Sequence, residues 1–199
     1  MSDPYVYPDC AVLRNKLNLR DETVLEVVER QFATSRMRDG CPSGTFDLSH
    51  LQKIHHYLFQ DIYDWAGKVR TVEISKGGST FQGCEFIATG MADVHRRLGK
   101  AKFLRGLTPA NFASQAGQIM GDVNYVHPFR EGNGRTQLQY LKQLATQAGH
   151  KIDLVELTRK PERWIEASKA SHMADYSKMA EAIHDAIKSR RGIETDRSR

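Results

Sequence analysis

The segment from His127 to Arg135, HPFREGNGR, concentrates side chains that could do chemistry within nine residues. His127 precedes Pro128, so it is expected at a helix end beside a loop. A histidine whose pKa is near neutrality can accept a proton from an attacking hydroxyl group. Glu131 supplies a hard carboxylate, the type of ligand that holds Mg²⁺ beside polyphosphate. These groups suit phosphoryl or nucleotidyl transfer.

The second half of the segment predicts a phosphate cradle. Gly132 and Gly134 flank Asn133 and allow backbone conformations that are closed to other residues. Converging N–H groups, together with the N-terminus of the next helix, can hold an anion. Arg135 would oppose the dipole of that helix unless its guanidinium grips phosphate oxygens. Phe129 is expected to anchor the loop in the core.

Helices dominate the elements that must position this segment. Apolar residues at helical spacing, Val24, Val27, Val28 and Phe32, predict the first of these helices. Asp47 and Thr108 are expected N-caps, and Pro109 and Pro161 suit the first turn of a helix. The predicted helices cover Asp21–Met37, Asp47–Phe59, Ile87–Phe103, Thr108–Val126, Gly134–Gly149, Pro161–Ala170 and Tyr176–Ser189.

The stretch from Val72 to Phe86 has a different character and predicts a β-hairpin with a Gly77-Gly78 turn. It is the one strand pair that the sequence predicts. Because an isolated hairpin is only marginally stable, it is expected to pack against helices. The glycines beside Lys76 do not form a P-loop, because the order G-x-x-x-x-G-K-[ST] is missing.

Three histidines in the second predicted helix, His50, His55 and His56, could suggest a metal site. Their offsets of five and six residues do not place them well on one face, so we interpret them as packing or surface histidines.

Length and composition indicate one globular domain. The 199 residues are 40% hydrophobic and 27% charged, with a formal net charge of +5. We expect a single domain over residues 1–190 and a basic, flexible tail over 191–199. A basic surface suits an acidic protein partner, whereas a nucleic-acid-binding tail is disfavoured because no aromatic residues interleave with its charges.

The sequence also bears on the cellular compartment. No signal peptide or apolar run of membrane-spanning length is present, and membrane association is not expected. Three cysteines without a CxxC motif fit free thiols in a reducing cytoplasm.

The segment from His127 to Arg135 closely resembles the Fic-domain signature H-x-F-x-[DE]-G-N-G-R-x-x-R. Asp3–Pro8, Leu13–Leu17 and Asp61–Gly67 extend the resemblance, which is to small bacterial Fic toxins and covers most of residues 1–190. The resemblance implies a mainly α Fic fold with a short β-hairpin flap beside the active-site loop.

The resemblance also implies an activity, the transfer of AMP from ATP to a Ser, Thr or Tyr hydroxyl of a target protein. It makes His127 the general base and Glu131 the Mg²⁺ ligand, while Gly132, Asn133, Gly134 and Arg135 hold phosphate. Phe129 becomes the loop anchor. The flap would pair with an extended target segment by strand addition and includes Ile74, Ser75, Lys76, Gly77, Gly78 and Phe81.

Leu138 departs from the family pattern, because the last arginine of the signature falls at this position. In relatives that arginine holds the γ-phosphate and engages an inhibitory glutamate. Three outcomes stay open: AMP transfer with poor use of ATP, a different nucleotide donor, or a weakened module that only binds nucleotide or protein. A basic DNA-associated protein is a further, weakly supported reading.

Regulation is a separate expectation from the resemblance. The family's inhibitory motif [S/T]-x-x-x-E-[G/N] is absent, and Thr158–Arg163 is the nearest approach to it. The resemblance therefore implies inhibition in trans by a small antitoxin protein. The protein would act in the cytoplasm, either of its own cell or of a cell to which it is delivered.

Overall fold

The computed structural model describes residues 3–196, and over this range the chain is built mainly from α-helices. The only paired strands within that range are β1 (Ser75–Lys76) and β2 (Ser79–Thr80), which form an antiparallel hairpin. Two short 3₁₀ turns, Cys84–Phe86 and Lys102–Leu104, flank the third helix. The helices are α1 (Glu22–Asp39), α2 (Leu48–Phe59), α3 (Ile87–Lys100), α4 (Pro109–Val126), α5 (Asn133–Gln147), α6 (Leu154–Arg159), α7 (Pro161–Ser171) and α8 (Ser177–Asp196).

Side-chain caps set the start of several helices. Asp21 accepts a hydrogen bond from the N–H group of Val24, and Asp47 caps α2 in the same way. Thr108 caps α4, whose first residue is Pro109. The predictions of the N-caps Asp47 and Thr108 are confirmed, and Asp21 is a further cap that the structure shows.

The core is centred on α4, which packs between α3, α5, α7 and α8. Phe112, Met120 and Val123 of α4 are fully buried against residues such as Met91, Leu144 and Ile183. Because α4 and α5 both belong to this core, the loop that joins them stands on a rigid base. The prediction of a mainly α fold with one hairpin is confirmed.

The hairpin is shorter than the predicted Val72–Phe86 pair, since each strand has two residues. Side chains take the backbone groups that a longer ladder would use. The Arg70 guanidinium donates to the carbonyls of Val72 and Gln82, and the Glu73 carboxylate accepts from the N–H group of Cys84. The chain therefore leaves the strand geometry on both sides of the turn.

The first helix buries a different face from the one that its apolar spacing suggested. Val24, Val27 and Phe32 are exposed, whereas Leu25, Glu29 and Ala33 are buried. The charged residue on the buried face is satisfied by partners described below, which is why this face can turn inward.

The C-terminal region differs from the prediction in two respects. The short helix α6 was not predicted, and α8 continues to Asp196, beyond the predicted helix end at Ser189. The last part of the predicted tail, residues 197–199, lies outside the described residues, as do residues 1 and 2. No helix described here is long and apolar enough to cross a membrane.

Candidate active site

The loop between α4 and α5 reverses the chain with two left-handed residues. His127 has φ 45° and ψ 63°, and Gly132 has φ 79°. At Gly132 a β-carbon would lie 2.5 Å from the ring of Phe59, so only glycine fits between the loop and α2. These two turns place the ring of His127 and the start of α5 on the same side of the molecule, where both line one cavity.

The imidazole of His127 is oriented for proton acceptance. Its Nδ1 lies 3.0 Å from the carbonyl oxygen of Asn124, which can only accept, so Nδ1 carries the proton and Nε2 keeps a free lone pair. The ring of Phe81 stacks on it with centroids 3.6 Å apart. Burial lowers the pKa of His127 to about 4, so the neutral, basic form prevails at neutral pH.

Almost every carbonyl of the loop has a hydrogen-bond donor. Arg70 donates from Nε to the oxygen of His127 (2.9 Å) and from its backbone N–H group to that of Pro128 (2.9 Å). The Asn133 side chain bonds both backbone groups of Phe129, at 2.9 Å and 2.7 Å. The ring of Phe129 is itself fully buried, so the loop is held by its anchor as well as by its backbone.

The N-terminus of α5 has free donors. The cap residue Gly132 has no side chain, and the N–H groups of Asn133, Gly134 and Arg135 meet no acceptor among residues 3–196. Because the Asn133 side chain is occupied within the loop, only its backbone can contribute to anion binding. Uncapped N–H groups at the positive end of a helix dipole form a site for an anion.

Glu131 projects into the solvent-accessible part of the site, with its side chain 41% exposed. One carboxylate oxygen accepts from the N–H group of Gly132 at 2.8 Å, and the same oxygen lies 3.9 Å from Arg135 Nη2. The other oxygen has no protein partner among the described contacts. A single carboxylate fits Mg²⁺, which usually retains waters and takes its remaining ligands from a phosphate substrate.

Arg135 is held by α1. Its Nη2 donates to the Glu29 carboxylate, which also accepts a hydrogen bond from the Tyr63 hydroxyl. The guanidinium carbon lies 4.8 Å from the ring centroid of Phe59. Glu29 thereby compensates the unfavourable position of an arginine in the first turn of α5.

Two cavities meet at the loop. The first, of about 430 Å³, lies between the hairpin, the loop and α7, and it is lined by His127, Gln137, Trp164 and Lys169 among others. The second, of about 660 Å³, lies between α1 and the loop and contains Glu29 and Arg135. Three residues line both cavities: Lys76, Arg130 and Glu131.

The hairpin residues expected to form the flap do border the first cavity. Ile74, Ser75, Lys76, Gly77 and Phe81 line it, whereas Gly78 is at the exposed turn. Leu138 lines neither cavity. It is partly buried against the core, one turn after Gly134 on the same face of α5.

Several site residues have no local sequence signal. Arg70, Glu29 and Gln137 are buried polar residues. The first two are held by contacts that are distant in sequence, to His127 and Arg135, whereas the side-chain nitrogen of Gln137 is buried without a hydrogen-bond partner among the described residues. His55 was interpreted as a packing histidine, yet it contacts the loop directly. Asp3 binds Arg130 at 2.8 Å, which gives the N-terminal part of the resemblance a structural role.

The helical fold, the loop and the flap together define a Fic domain, and the comparisons with known proteins agree. Residues 45–145 match the Fic/DOC family. The chain belongs to the Fic/DOC family.

Similar proteins include two adenylyltransferases. The probable protein adenylyltransferase y4lH of Sinorhizobium fredii is 35% identical, over 94% of this chain and 97% of that protein. The protein adenylyltransferase VbhT of Bartonella schoenbuchensis is 43% identical over 76% of this chain. The match spans 32% of VbhT, about a third of its length.

A solved structure shares the fold. The N-terminal Fic domain of a putative cell filamentation protein from Bartonella quintana, a VirB-translocated effector with bound ADP, has a TM-score of 0.81. It is 28% identical, and the match covers 92% of this chain and 93% of that domain.

Proposed function

We propose that this protein is a protein adenylyltransferase that moves AMP from ATP to a hydroxyl group of a target protein. The observation that carries the proposal is the free Nε2 of neutral His127 beside the uncapped N-terminus of α5. A proton acceptor and an anion site on one cavity are the two parts that transfer of a phosphate-linked group to a hydroxyl needs. The names of the relatives y4lH and VbhT agree with this reaction.

The nucleotide lies across the two cavities in this proposal. Its phosphates contact the N–H groups of Asn133, Gly134 and Arg135, while the nucleoside occupies the first cavity beside Trp164. The phosphates beyond the α-phosphate extend toward Arg135 in the second cavity. The bound ADP of the Bartonella quintana domain supports nucleotide binding by this fold.

Each group then has one task in the step. The Nε2 atom of His127 takes the proton of the target hydroxyl, whose oxygen forms a bond to the α-phosphorus. The bond from the α-phosphorus to the bridging oxygen breaks, and pyrophosphate leaves with the electron pair. Arg135 and Lys76 face the charge of the leaving group.

Mg²⁺ would be held by Glu131, whose second carboxylate oxygen is available. When bound, the ion neutralises phosphate charge and polarises the phosphoryl oxygens. Glu131 itself is held by two hydrogen bonds. Its carboxylate accepts from the N–H group of Gly132, and its backbone carbonyl is bonded to Nε2 of His55.

The hairpin is proposed to dock the target. Strand β1 pairs with β2 on one edge, and Ser75 and Lys76 are exposed. An extended target segment could add to the free edge, which would bring a hydroxyl near His127 through main-chain hydrogen bonds. Specificity for the target would come from other surfaces.

Replacing Leu138 by arginine is expected to improve ATP binding selectively. A charged hydrogen bond contributes about 1.5–3 kcal/mol, so the gain would be about 10- to 100-fold for ATP and negligible for ADP, which lacks a γ-phosphate. The position is partly exposed, so the longer side chain can be accommodated. Calorimetric titration of both nucleotides into Leu138→Arg and the parent protein would measure the difference.

Leu138→Gln is the matched control for that comparison, because it changes polarity at similar length without adding charge. An equal improvement for ATP and ADP in Leu138→Arg would show that the new arginine does not reach a γ-phosphate. The donor preference of the parent protein would then need a different explanation.

The donor and the reaction can be tested together. The protein is incubated with cell lysate, Mg²⁺ and a panel of labelled nucleotides, and label attached to protein is measured. Label from α-labelled ATP, but not from γ-labelled ATP, is expected. If no donor gives label while nucleotide binding persists, the second candidate is favoured: a binding module whose catalysis is weakened at Leu138.

Regulation in trans by a small antitoxin stays part of the proposal, together with action in the cytoplasm of its own or a recipient cell. The Bartonella quintana domain belongs to a VirB-translocated effector, which is delivered by a secretion system, and delivery is therefore one of the two possibilities kept here. Co-purification with the product of a neighbouring reading frame is the test, and failure of any such product to bind or inhibit would remove the antitoxin from the proposal.

A further inference from the structure

His55 contacts the loop between α4 and α5 but lines neither of the two cavities. It belongs to α2 and is fully buried, and its ring stacks on Phe129 with centroids 3.9 Å apart and an interplanar angle of 21°. The Nε2 atom is 2.9 Å from the carbonyl oxygen of Glu131, and Nδ1 is 2.7 Å from the backbone nitrogen of Gly67. The ring therefore bridges two segments that are far apart in sequence.

The two partners fix the protonation of this ring. The N–H group of Gly67 can only donate, so Nδ1 must be the unprotonated nitrogen. The proton is then on Nε2, where it is donated to the Glu131 carbonyl. Any other tautomer would place a donor against a donor or an acceptor against an acceptor.

Gly67 is shaped to make this contact. Its φ is +81°, and a β-carbon there would approach His56 Cβ to 2.8 Å and the Gln52 carbonyl oxygen to 3.0 Å. The Gln52 side chain holds the Gly67 carbonyl at 2.9 Å. The backbone conformation at Gly67 therefore positions its N–H group to donate a hydrogen bond to Nδ1 of His55.

We infer that His55 is a positioning residue that sets the orientation of the peptide between Glu131 and Gly132. In a trans peptide the C=O and N–H groups point in opposite directions. Because His55 draws the Glu131 carbonyl toward α2, the Gly132 N–H group points away from α2, where it binds the Glu131 carboxylate at 2.8 Å. Thus the hydrogen bond from His55 to the Glu131 carbonyl orients the Glu131 carboxylate, the proposed Mg²⁺ ligand. The positioning role of His55 rests on the proposed function.

Two variants separate the two nitrogens of the ring. His55→Gln places an amide donor near the position of Nε2 and can keep the bond to Glu131. His55→Asn reaches only the position of Nδ1, so it can accept from Gly67 and loses the bond to Glu131. His56→Asn is the control, since this neighbour is exposed and bonds only to the Ala66 carbonyl.

The readout is Mg²⁺-dependent binding of ADP, measured by calorimetry over a series of Mg²⁺ concentrations with the folded fraction of each variant recorded. We expect His55→Asn to need about tenfold more Mg²⁺, as is typical when a residue that supports a metal ligand is lost. His55→Gln should need nearly the same Mg²⁺ concentration as the parent protein, and His56→Asn should match the parent protein. Nitrogen-15 NMR of the parent imidazole should show a proton on Nε2 and none on Nδ1.

A purely structural histidine would behave differently. Both His55 variants would lose stability and ADP binding together, without a changed Mg²⁺ requirement, and that result would overturn the inference. A proton on Nδ1 would overturn it as well. If the parent protein binds Mg²⁺ and ADP but transfers no AMP, the proposed reaction fails while the role of His55 is still decided by binding.

Discussion

His127→Asn should lower the rate of AMP transfer by about 10²- to 10⁴-fold, the usual contribution of a general base. Asparagine is chosen because residue 127 has a positive φ of 45°, a conformation that asparagine tolerates better than alanine. Its amide cannot accept a proton from the target hydroxyl. The α5 N-terminus is untouched, so nucleotide affinity should stay unchanged.

Single-turnover transfer and calorimetric ADP binding would measure the two effects separately. His184→Asn is a suitable control, because His184 lies in α8 and lines neither cavity. If His127→Asn kept full activity, another group would have to be the base. Loss of nucleotide binding together with rate would instead indicate that the loop had collapsed.

The pH profile provides a further check on this residue. Burial lowers the pKa of His127 to about 4, so protonation should abolish activity only as the pH falls through that region. Between about pH 5.5 and 8 the base-dependent limb of kcat/KM should be flat. A histidine with the ordinary pKa of about 6.5 would already lose half of this rate at pH 6.5.

Arg70→Met should be the most destabilising substitution considered, with a loss of about 3–5 kcal/mol in the free energy of unfolding. The Arg70 side chain is fully buried and donates to the carbonyls of Val72, Gln82 and His127. Methionine fills much of the same space but leaves these oxygens without donors. Urea denaturation of both proteins would measure the difference.

Arg70→Lys and Arg96→Met are the comparison variants. Lysine retains the charge but lacks the planar fork that reaches several carbonyls, so it should recover only part of the stability. Arg96 is an exposed arginine of α3 that pairs with Asp93, and its replacement should cost less than about 1 kcal/mol. Equal losses for Arg70→Met and Arg96→Met would rule out a central role for the Arg70 hydrogen bonds.

Arg70 also explains why the sequence predicted the position of the hairpin but not the length of its strands. The Gly77-Gly78 turn and its alternating flanks are local features, so they predict the turn and its place. Strand length depends on which carbonyls remain free, and a buried guanidinium from outside the hairpin takes two of them. The apolar spacing of α1 likewise did not predict which face of the helix is buried, because Glu29 is buried through its bonds to Arg135 and Tyr63.

The sequence by itself determined the helical class, the N-caps at Asp47 and Thr108, and the candidate base and carboxylate. These depend on periodicity, short-range hydrogen bonding and a nine-residue signature, all of which are local. Only the tertiary structure decided how the loop is held, with Arg70 on one side and His55 on the other. Such contacts join residues more than fifty positions apart, and a buried polar side chain is tolerated only where distant partners satisfy it.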